Sequence, residues 1–85
     1  MSSENPTTLQ LVIASVGETR FDGPAISATF PGVSGEFTVL PHHEPLVTTL
    51  KAGTITVKDT LGDTKEFAVE QGVVECSGNR VVVLL

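Results

Sequence analysis

The residues best suited to chemistry are His42, His43 and Glu44, which are consecutive between two prolines in the segment 31–45, PGVSGEFTVLPHHEP. Imidazole and carboxylate groups can bind a metal ion, act as a catalytic base or simply occupy a turn. Neighbouring side chains of an extended segment point to opposite faces, so the two histidines cannot both reach one ion without a distorted backbone. The chain has no second histidine pair, and its lone cysteine, Cys76, has no partner at ligand spacing. We therefore expect no metal site here, but a surface turn whose prolines set the chain direction.

Patterns for nucleophilic catalysis and for cofactor binding are also missing from the sequence. Segment 32–35, Gly-Val-Ser-Gly, lacks the strand-to-helix context of a G-x-S-x-G nucleophile elbow, and no other serine lies in such a motif. The chain contains neither a phosphate-cradling loop nor a dinucleotide-binding G-x-G-x-x-G. We therefore expect a binding or assembly module that has no cofactor and no enzymatic activity of its own.

Length and charge narrow the class of protein further. The 85 residues suffice for one compact domain, residues 1–85, in which we expect residues 1–8 to be a flexible N-terminus. The net charge is −5 and the five basic residues are scattered, which argues against nucleic acid and anionic lipid as partners. The sequence shows no secretory leader and no apolar run long enough for membrane insertion, so we expect a soluble, cytosolic chain. Cys76 lies in an apolar run and is expected to be buried rather than reactive.

Apolar residues recur at every second position, which is the period of a β-strand. Val, Ile and Thr supply 26 of the 85 residues, and these side chains favour strands over helices. Ile55 and Val57 should face the core from one run, and Phe67 and Val69 from the next, with residues 59–63 as the hairpin connection. The closing run 81–85, VVVLL, is apolar on both faces, so its strand should be central or covered on its outer side.

Nine such runs, separated by glycine-rich and proline-rich turns, predict an all-β protein with the architecture of a β-sandwich or flattened barrel. The predicted strands are residues 9–15, 19–21, 25–30, 35–40, 45–50, 54–58, 65–70, 73–76 and 80–85.

Five short motifs occur in a distinctive order and together span most of the chain. In that order and spacing they resemble the N-terminal β-sandwich domain of the epsilon subunit of bacterial F-type ATP synthase, over residues 9–85. The motifs are FDG at 21–23, PGVSGEF at 31–37, VLPHHEPL at 39–46, LKAG at 50–53 and QGVVE at 71–75.

The resemblance implies a sandwich of about ten strands that belongs to the rotor of a proton-translocating ATP synthase and does no chemistry itself. Such a domain binds the gamma subunit of the central stalk, rests on the polar loops of the membrane c-ring, and lies peripherally at the cytoplasmic face of the bacterial plasma membrane. By this resemblance Glu36 is expected to contact the c-ring loops, and His43, Val47 and Thr48 are expected to lie near gamma.

The sequence departs from the family pattern in three side chains and in length. His42 and Thr38 stand where the family usually has glycine, and Glu44 replaces a common alanine. The family commonly continues into a C-terminal helical hairpin domain that this sequence does not contain, so we expect no inhibition by helix insertion and no sensing of ATP from these residues. Two other interpretations are a stand-alone β-sandwich adaptor that binds a peptide or protein along a sheet edge, and a small histidine-based metalloenzyme that would hold zinc or iron.

Overall fold

The computed structural model describes residues 8–42 and 44–85, and within them all regular secondary structure is β-strand. The all-β prediction is therefore confirmed. No helix in this part of the chain is long and apolar enough to cross a membrane. The eight strands are β1 (Leu9–Ser15), β2 (Glu18–Gly32), β3 (Gly35–Val39), β4 (Leu46–Leu50), β5 (Gly53–Asp59), β6 (Thr64–Val69), β7 (Gly72–Ser77) and β8 (Arg80–Leu84).

The eight strands form one continuous sheet that curls into two layers. The strand order is β1-β8-β7-β4-β2-β5-β6, with β3 attached to β2 and an additional pairing between β1 and β2. The first part of β2 pairs with β1, whereas its last part pairs with β3 and β5, so β2 belongs to both layers. The first layer comprises the start of β2 with β1, β8, β7 and β4; the second comprises β3, the end of β2, β5 and β6. This arrangement confirms the predicted sandwich or flattened barrel.

The long strand β2 corrects the predicted strand count. Segments 19–21 and 25–30 were expected to be separate strands because Asp-Gly-Pro at 22–24 reads as a turn, yet all of them lie in one fifteen-residue strand. In its pairing with β5, β2 has a register shift of the β-bulge type between Ala25 and Ser27, and no turn interrupts the strand. The described residues therefore form eight strands, fewer than the ten that the family pattern suggested.

β8 is central in its layer, as its apolar sequence predicted. It pairs in parallel with β1 and antiparallel with β7. Val81 and Val83 are fully buried in the core, whereas Leu84 points outward and retains 59% of its exposure. Beyond Arg80, the outward face of this central strand is thus apolar, and no residue in 8–42 or 44–85 buries Leu84.

The core lies between the two layers, and every strand contributes to it. Phe30 is the largest fully buried side chain. Cys76 is buried as predicted, and this burial raises the pKa of its thiol. Val69 is buried and Phe67 packs against the core, as predicted, but Phe67 is not fully buried as strict alternation would imply. Because β6 ends the sheet, Phe67 is only half-buried, with its ring packed edge-on against Phe21 at 6.1 Å between centroids.

Candidate docking surface

The outer face of the first layer carries apolar side chains where solvent would favour polar ones. Two rungs of paired residues cross this layer. In one rung Val82 pairs with Val12 on one side and with Glu75 on the other, and Glu75 pairs with Val47. In the next rung Leu84 and Val73 are paired. We call the following set the apolar face: Val12, Ala14, Val47, Val73, Val82 and Leu84.

The exposure of the apolar face is concentrated on β4, β7 and β8. Val47 is 70% exposed, Leu84 59% and Val73 39%. Glu75 and Arg80 are exposed polar residues that lie on the same side of the layer. Exposed apolar side chains accompanied by polar ones, here with Glu75 between Val47 and Val82, are suited to binding another protein.

The outer face of the second layer has the opposite character. Thr29 pairs with Thr38 on one side and with Thr56 on the other, and Thr56 pairs with Glu66. The Thr29 and Thr38 hydroxyl oxygens lie 2.9 Å apart and share a hydrogen bond. The side chain at Thr38, where the family usually has glycine, is therefore accommodated within a polar surface. We call Thr29, Thr38, Thr56, Lys58 and Glu66 the polar face.

The structure brings two of the predicted gamma-contact residues to one groove. Val47 and Thr48 are neighbours on β4 and point to opposite sides of the strand, but both line a shallow groove with Phe37 and Leu46. The groove lies between β3 and β4, where the side of β4 remote from β7 pairs with β2 only at Leu50. The other predicted gamma contact, His43, lies outside the described residues.

Glu36, the predicted c-ring contact, lies at one end of the sandwich. It is exposed at the start of β3, opposite Pro31 and next to the turn that joins β2 to β3. The connection that follows β4 lies at the same end, because the Lys51 amide donates a hydrogen bond to the Pro31 carbonyl oxygen over 2.9 Å. The structure thus places Glu36 apart from the segment around His42.

His42 lies at the opposite end of the sandwich, beside the turn between β7 and β8. Its amide donates a hydrogen bond of 2.7 Å to Oδ1 of Asn79. Its φ is 66°, in the left-handed region that favours residues without a Cβ atom. This conformation explains why glycine is expected at position 42 in the family pattern.

Chemical sites are not evident in the part of the chain that the structure describes. Residues 8–42 and 44–85 contain no cluster of three His, Cys, Asp or Glu side chains that could hold a metal ion. Asp59 is the one buried charged residue in those ranges, and its partners are the backbone of its own turn and Lys65. Its role is therefore structural.

Sequence reasoning found Val47 but missed the breadth of the apolar face. The signal that could have found it was the closing VVVLL run, which is apolar on both sides of a strand. Val12 and Val73 were assigned to strands, but alternation along a strand does not reveal that their side chains lie beside those of the closing VVVLL run. Asn79 was interpreted only as part of a turn.

A small two-layer sandwich with one apolar and one polar outer face has the surface character of domains that bind other proteins. Its family follows from a match over residues 8–85 to the model described as "ATP synthase, Delta/Epsilon chain, beta-sandwich domain". The chain belongs to this family.

Relatives with similar sequences are named as ATP synthase epsilon chains. That of Nitrosomonas eutropha is 36% identical over 78 residues, which cover 92% of this chain and 56% of the relative. That of Sulfurimonas denitrificans is 36% identical over 77 residues, which cover 91% of this chain and 59% of the relative. The chain thus spans a little over half the length of these relatives.

Solved structures share the fold at lower sequence identity. A chain of the Euglena gracilis mitochondrial ATP synthase, in a structure of OSCP, F1 and c-ring, superposes with a TM-score of 0.89 at 21% identity, covering 99% of this chain and 54% of that one. A chain of the Tetrahymena thermophila mitochondrial ATP synthase central stalk and c-ring superposes with a TM-score of 0.72 at 11% identity. The match covers 96% of this chain and 65% of that one. At these identities the likeness establishes the architecture alone.

Proposed function

We propose that this protein is a non-catalytic central-stalk subunit of a bacterial F-type, proton-translocating ATP synthase, linking gamma to the c-ring. The observation that carries the proposal is the apolar face on a sandwich of the delta/epsilon family. In this role the chain turns with the rotor at the cytoplasmic side of the plasma membrane, held there by its partners. It takes no part in the chemistry of ATP synthesis and needs no cofactor.

The architecture suits a part that must transmit force. Two layers whose inward side chains interdigitate resist deformation, because a close-packed core has low compressibility. β2 runs through both layers, so displacement of one layer loads the other through continuous backbone.

Gamma docking is assigned to the apolar face and the adjoining groove. Val47 belongs to both, since it is 70% exposed on the outer face and also lines the groove with Thr48. Burial of such aliphatic side chains against a partner is favourable at roughly 25 cal/mol per Å². Glu75 and Arg80, on the same side, would contribute more to orientation and partner choice than to affinity.

Contact with the c-ring is assigned to the end that carries Glu36. An exposed carboxylate beside a turn can pair with polar or basic groups on the loops of a second partner.

Calorimetric titration of this chain with its own gamma subunit tests the proposal. We expect one-to-one binding, and we expect Val47→Asp to raise the Kd at least tenfold, because it would bury an unpaired charge in the interface. Thr54→Asp is the matched control: Thr54 is exposed on β5, in the second layer, and its substitution should leave the Kd unchanged.

Absence of binding to gamma would overturn the stalk assignment, as would equal effects of the two substitutions. The runner-up, an adaptor that binds an extended peptide, is favoured by the groove beside β4, where the edge of β4 remote from β7 pairs with β2 only at Leu50. The adaptor interpretation predicts that purified gamma does not bind to the chain. It also predicts that Thr48→Pro abolishes binding of a captured peptide, because proline would disrupt backbone pairing at β4.

A further inference from the structure

Asn79 connects three segments of the chain that are distant in sequence. It lies in the turn between β7 and β8, where Gly78 and Asn79 have φ values of 59° and 62°. Two successive positive φ values are the geometry of a two-residue hairpin turn whose twist matches that of the strands. Asparagine tolerates this conformation well, so the turn alone accounts for the backbone at this position but not for the contacts of its side chain.

The side-chain amide of Asn79 makes two hydrogen bonds away from its own turn. Oδ1 accepts from the His42 amide over 2.7 Å, and Nδ2 donates to the Thr8 carbonyl oxygen over 2.9 Å. The backbone carbonyl oxygen of Asn79 also accepts from the Gln10 amide over 3.1 Å. These partners fix the orientation of the Asn79 amide. In the flipped orientation Nδ2 would face the His42 amide, which is also a donor, and Oδ1 would face the Thr8 carbonyl oxygen, which is also an acceptor.

These bonds tie the segment before β4 to the body of the sandwich. We call residues 40–42 and 44–45, the described part of this connection, the β3–β4 loop. It carries His42 and precedes β4, where Val47 and Thr48 lie. Because His42 is in the left-handed region, its backbone would favour other conformations unless its amide were held. The bond from His42 to Asn79 holds it.

We infer that Asn79 is a positioning residue for docking: it holds the β3–β4 loop in one conformation so that the loop and the start of β4 meet the gamma subunit already ordered. This inference rests on the proposed function. A loop that is ordered before binding loses less conformational freedom on association, so its hydrogen bonds contribute to affinity without any contact between Asn79 and the partner.

Two substitutions at this position separate the side-chain bonds from the turn. Asn79→Gly keeps the positive φ available and removes both side-chain bonds. Asn79→Asp keeps an oxygen acceptor for the His42 amide but loses the donor to Thr8. If holding the loop is what matters, the glycine variant should be impaired and the aspartate variant largely rescued.

The readouts are the Kd for purified gamma and amide hydrogen exchange at His42 in the free chain. We expect Asn79→Gly to raise the Kd about 3- to 10-fold, the factor that corresponds to one ordinary hydrogen bond, and to speed exchange at His42. We expect Asn79→Asp to bind within about twofold of the unsubstituted chain, well under the loss of one hydrogen bond. Urea unfolding of each variant verifies that the titrations use folded protein.

The outcomes distinguish the inference from the proposed function. If the unsubstituted chain fails to bind gamma, the proposed function is overturned and the docking role of Asn79 falls with it. If the unsubstituted chain binds and Asn79→Gly binds equally well, only the inference is overturned. It is also overturned if Asn79→Asp is impaired as much as Asn79→Gly, since the bond to Thr8 would then be the important one.

Discussion

His42 combines an ordinary side chain with a backbone conformation that L-residues seldom adopt. The left-handed region brings Cβ close to the following carbonyl oxygen, which costs roughly 1 to 2 kcal/mol for residues other than glycine. At His42 this cost is partly offset by the hydrogen bond from its amide to Asn79. Histidine at position 42 therefore adopts a backbone conformation that glycine would adopt at lower energetic cost.

We predict that His42→Gly stabilises the protein. Relief of the Cβ contact should exceed the entropy that glycine adds to the unfolded chain, giving a gain of about 0.5 to 1 kcal/mol in the free energy of unfolding. Urea unfolding of both proteins at neutral pH measures this gain in the free energy of unfolding. His42→Ala is the control: it keeps a Cβ atom and should give no gain. A loss of stability in His42→Gly would contradict this explanation.

Phe30 and Phe67 differ in burial, and their truncations should differ accordingly. Phe30 is fully buried and packs on Phe37 with 5.4 Å between ring centroids, so Phe30→Ala should cost about 3 to 5 kcal/mol. Phe67 is half-buried, so part of its ring already meets water and Phe67→Ala should cost clearly less. Denaturant unfolding of both variants compares them, and equal losses would contradict the observed exposure of β6.

The β5–β6 hairpin depends on the carboxylate that ends its first strand. Oδ1 of Asp59 accepts hydrogen bonds from the amides of Leu61 and Asp63, at 2.9 and 3.0 Å, and Oδ2 lies 3.5 Å from Nζ of Lys65. Gly62, with φ of 87°, completes the turn. Burial works against ionisation of Asp59, but the bonds from Asp63 and Leu61, followed by Lys65, outweigh it, so its pKa lies below the ordinary value.

The lowered pKa of Asp59 predicts an acid-dependent contribution to stability. Its carboxylate stabilises the folded state fully above the unfolded-state pKa of about 4, and this contribution is lost as the pH falls through the lower folded-state pKa. Asp59→Asn should therefore lower the urea midpoint at pH 6 but converge with the unsubstituted protein towards pH 2.

A variant of Lys65 provides the control for this pH dependence. Lys65→Met removes the ion pair but keeps the two amide hydrogen bonds to Asp59, so most of the pH dependence should remain. A difference between Asp59→Asn and the unsubstituted protein that does not change between pH 6 and pH 2 would show that the carboxylate charge is not responsible.

The β5–β6 hairpin could be predicted from the sequence, whereas the long strand β2 could not. The hairpin was predictable because its partners are adjacent in the chain and its turn contains glycine. β2 was not, because the dipeptide Gly23-Pro24 is typical of a turn, yet here both residues pair with β1. The bulge after Ala25 also allows Ala25, Ala28 and Phe30 to be buried together, which a strict alternation forbids.

Glu36 tests the proposed contact between this molecule and the c-ring. Glu36→Gln should weaken co-sedimentation with purified c-ring while leaving the free energy of unfolding within about 0.5 kcal/mol, because the side chain is an exposed charge and not a core group. Glu66→Gln, on the polar face, is the matched control and should sediment normally. A stability loss as large as that of a core truncation would contradict the placement of Glu36.

The amino-acid sequence by itself determined the strand period, the inward faces of β5 and β6, and the resemblance to one family. These are local properties, because side chains alternate along any strand whatever its neighbours are. Only the tertiary structure decided that β2 joins both layers, that Phe67 is half-buried, and that the outward faces of β1, β8, β7 and β4 meet in one apolar face. Those features depend on which strands pair across long separations in sequence, and alternation within a strand does not specify its neighbours.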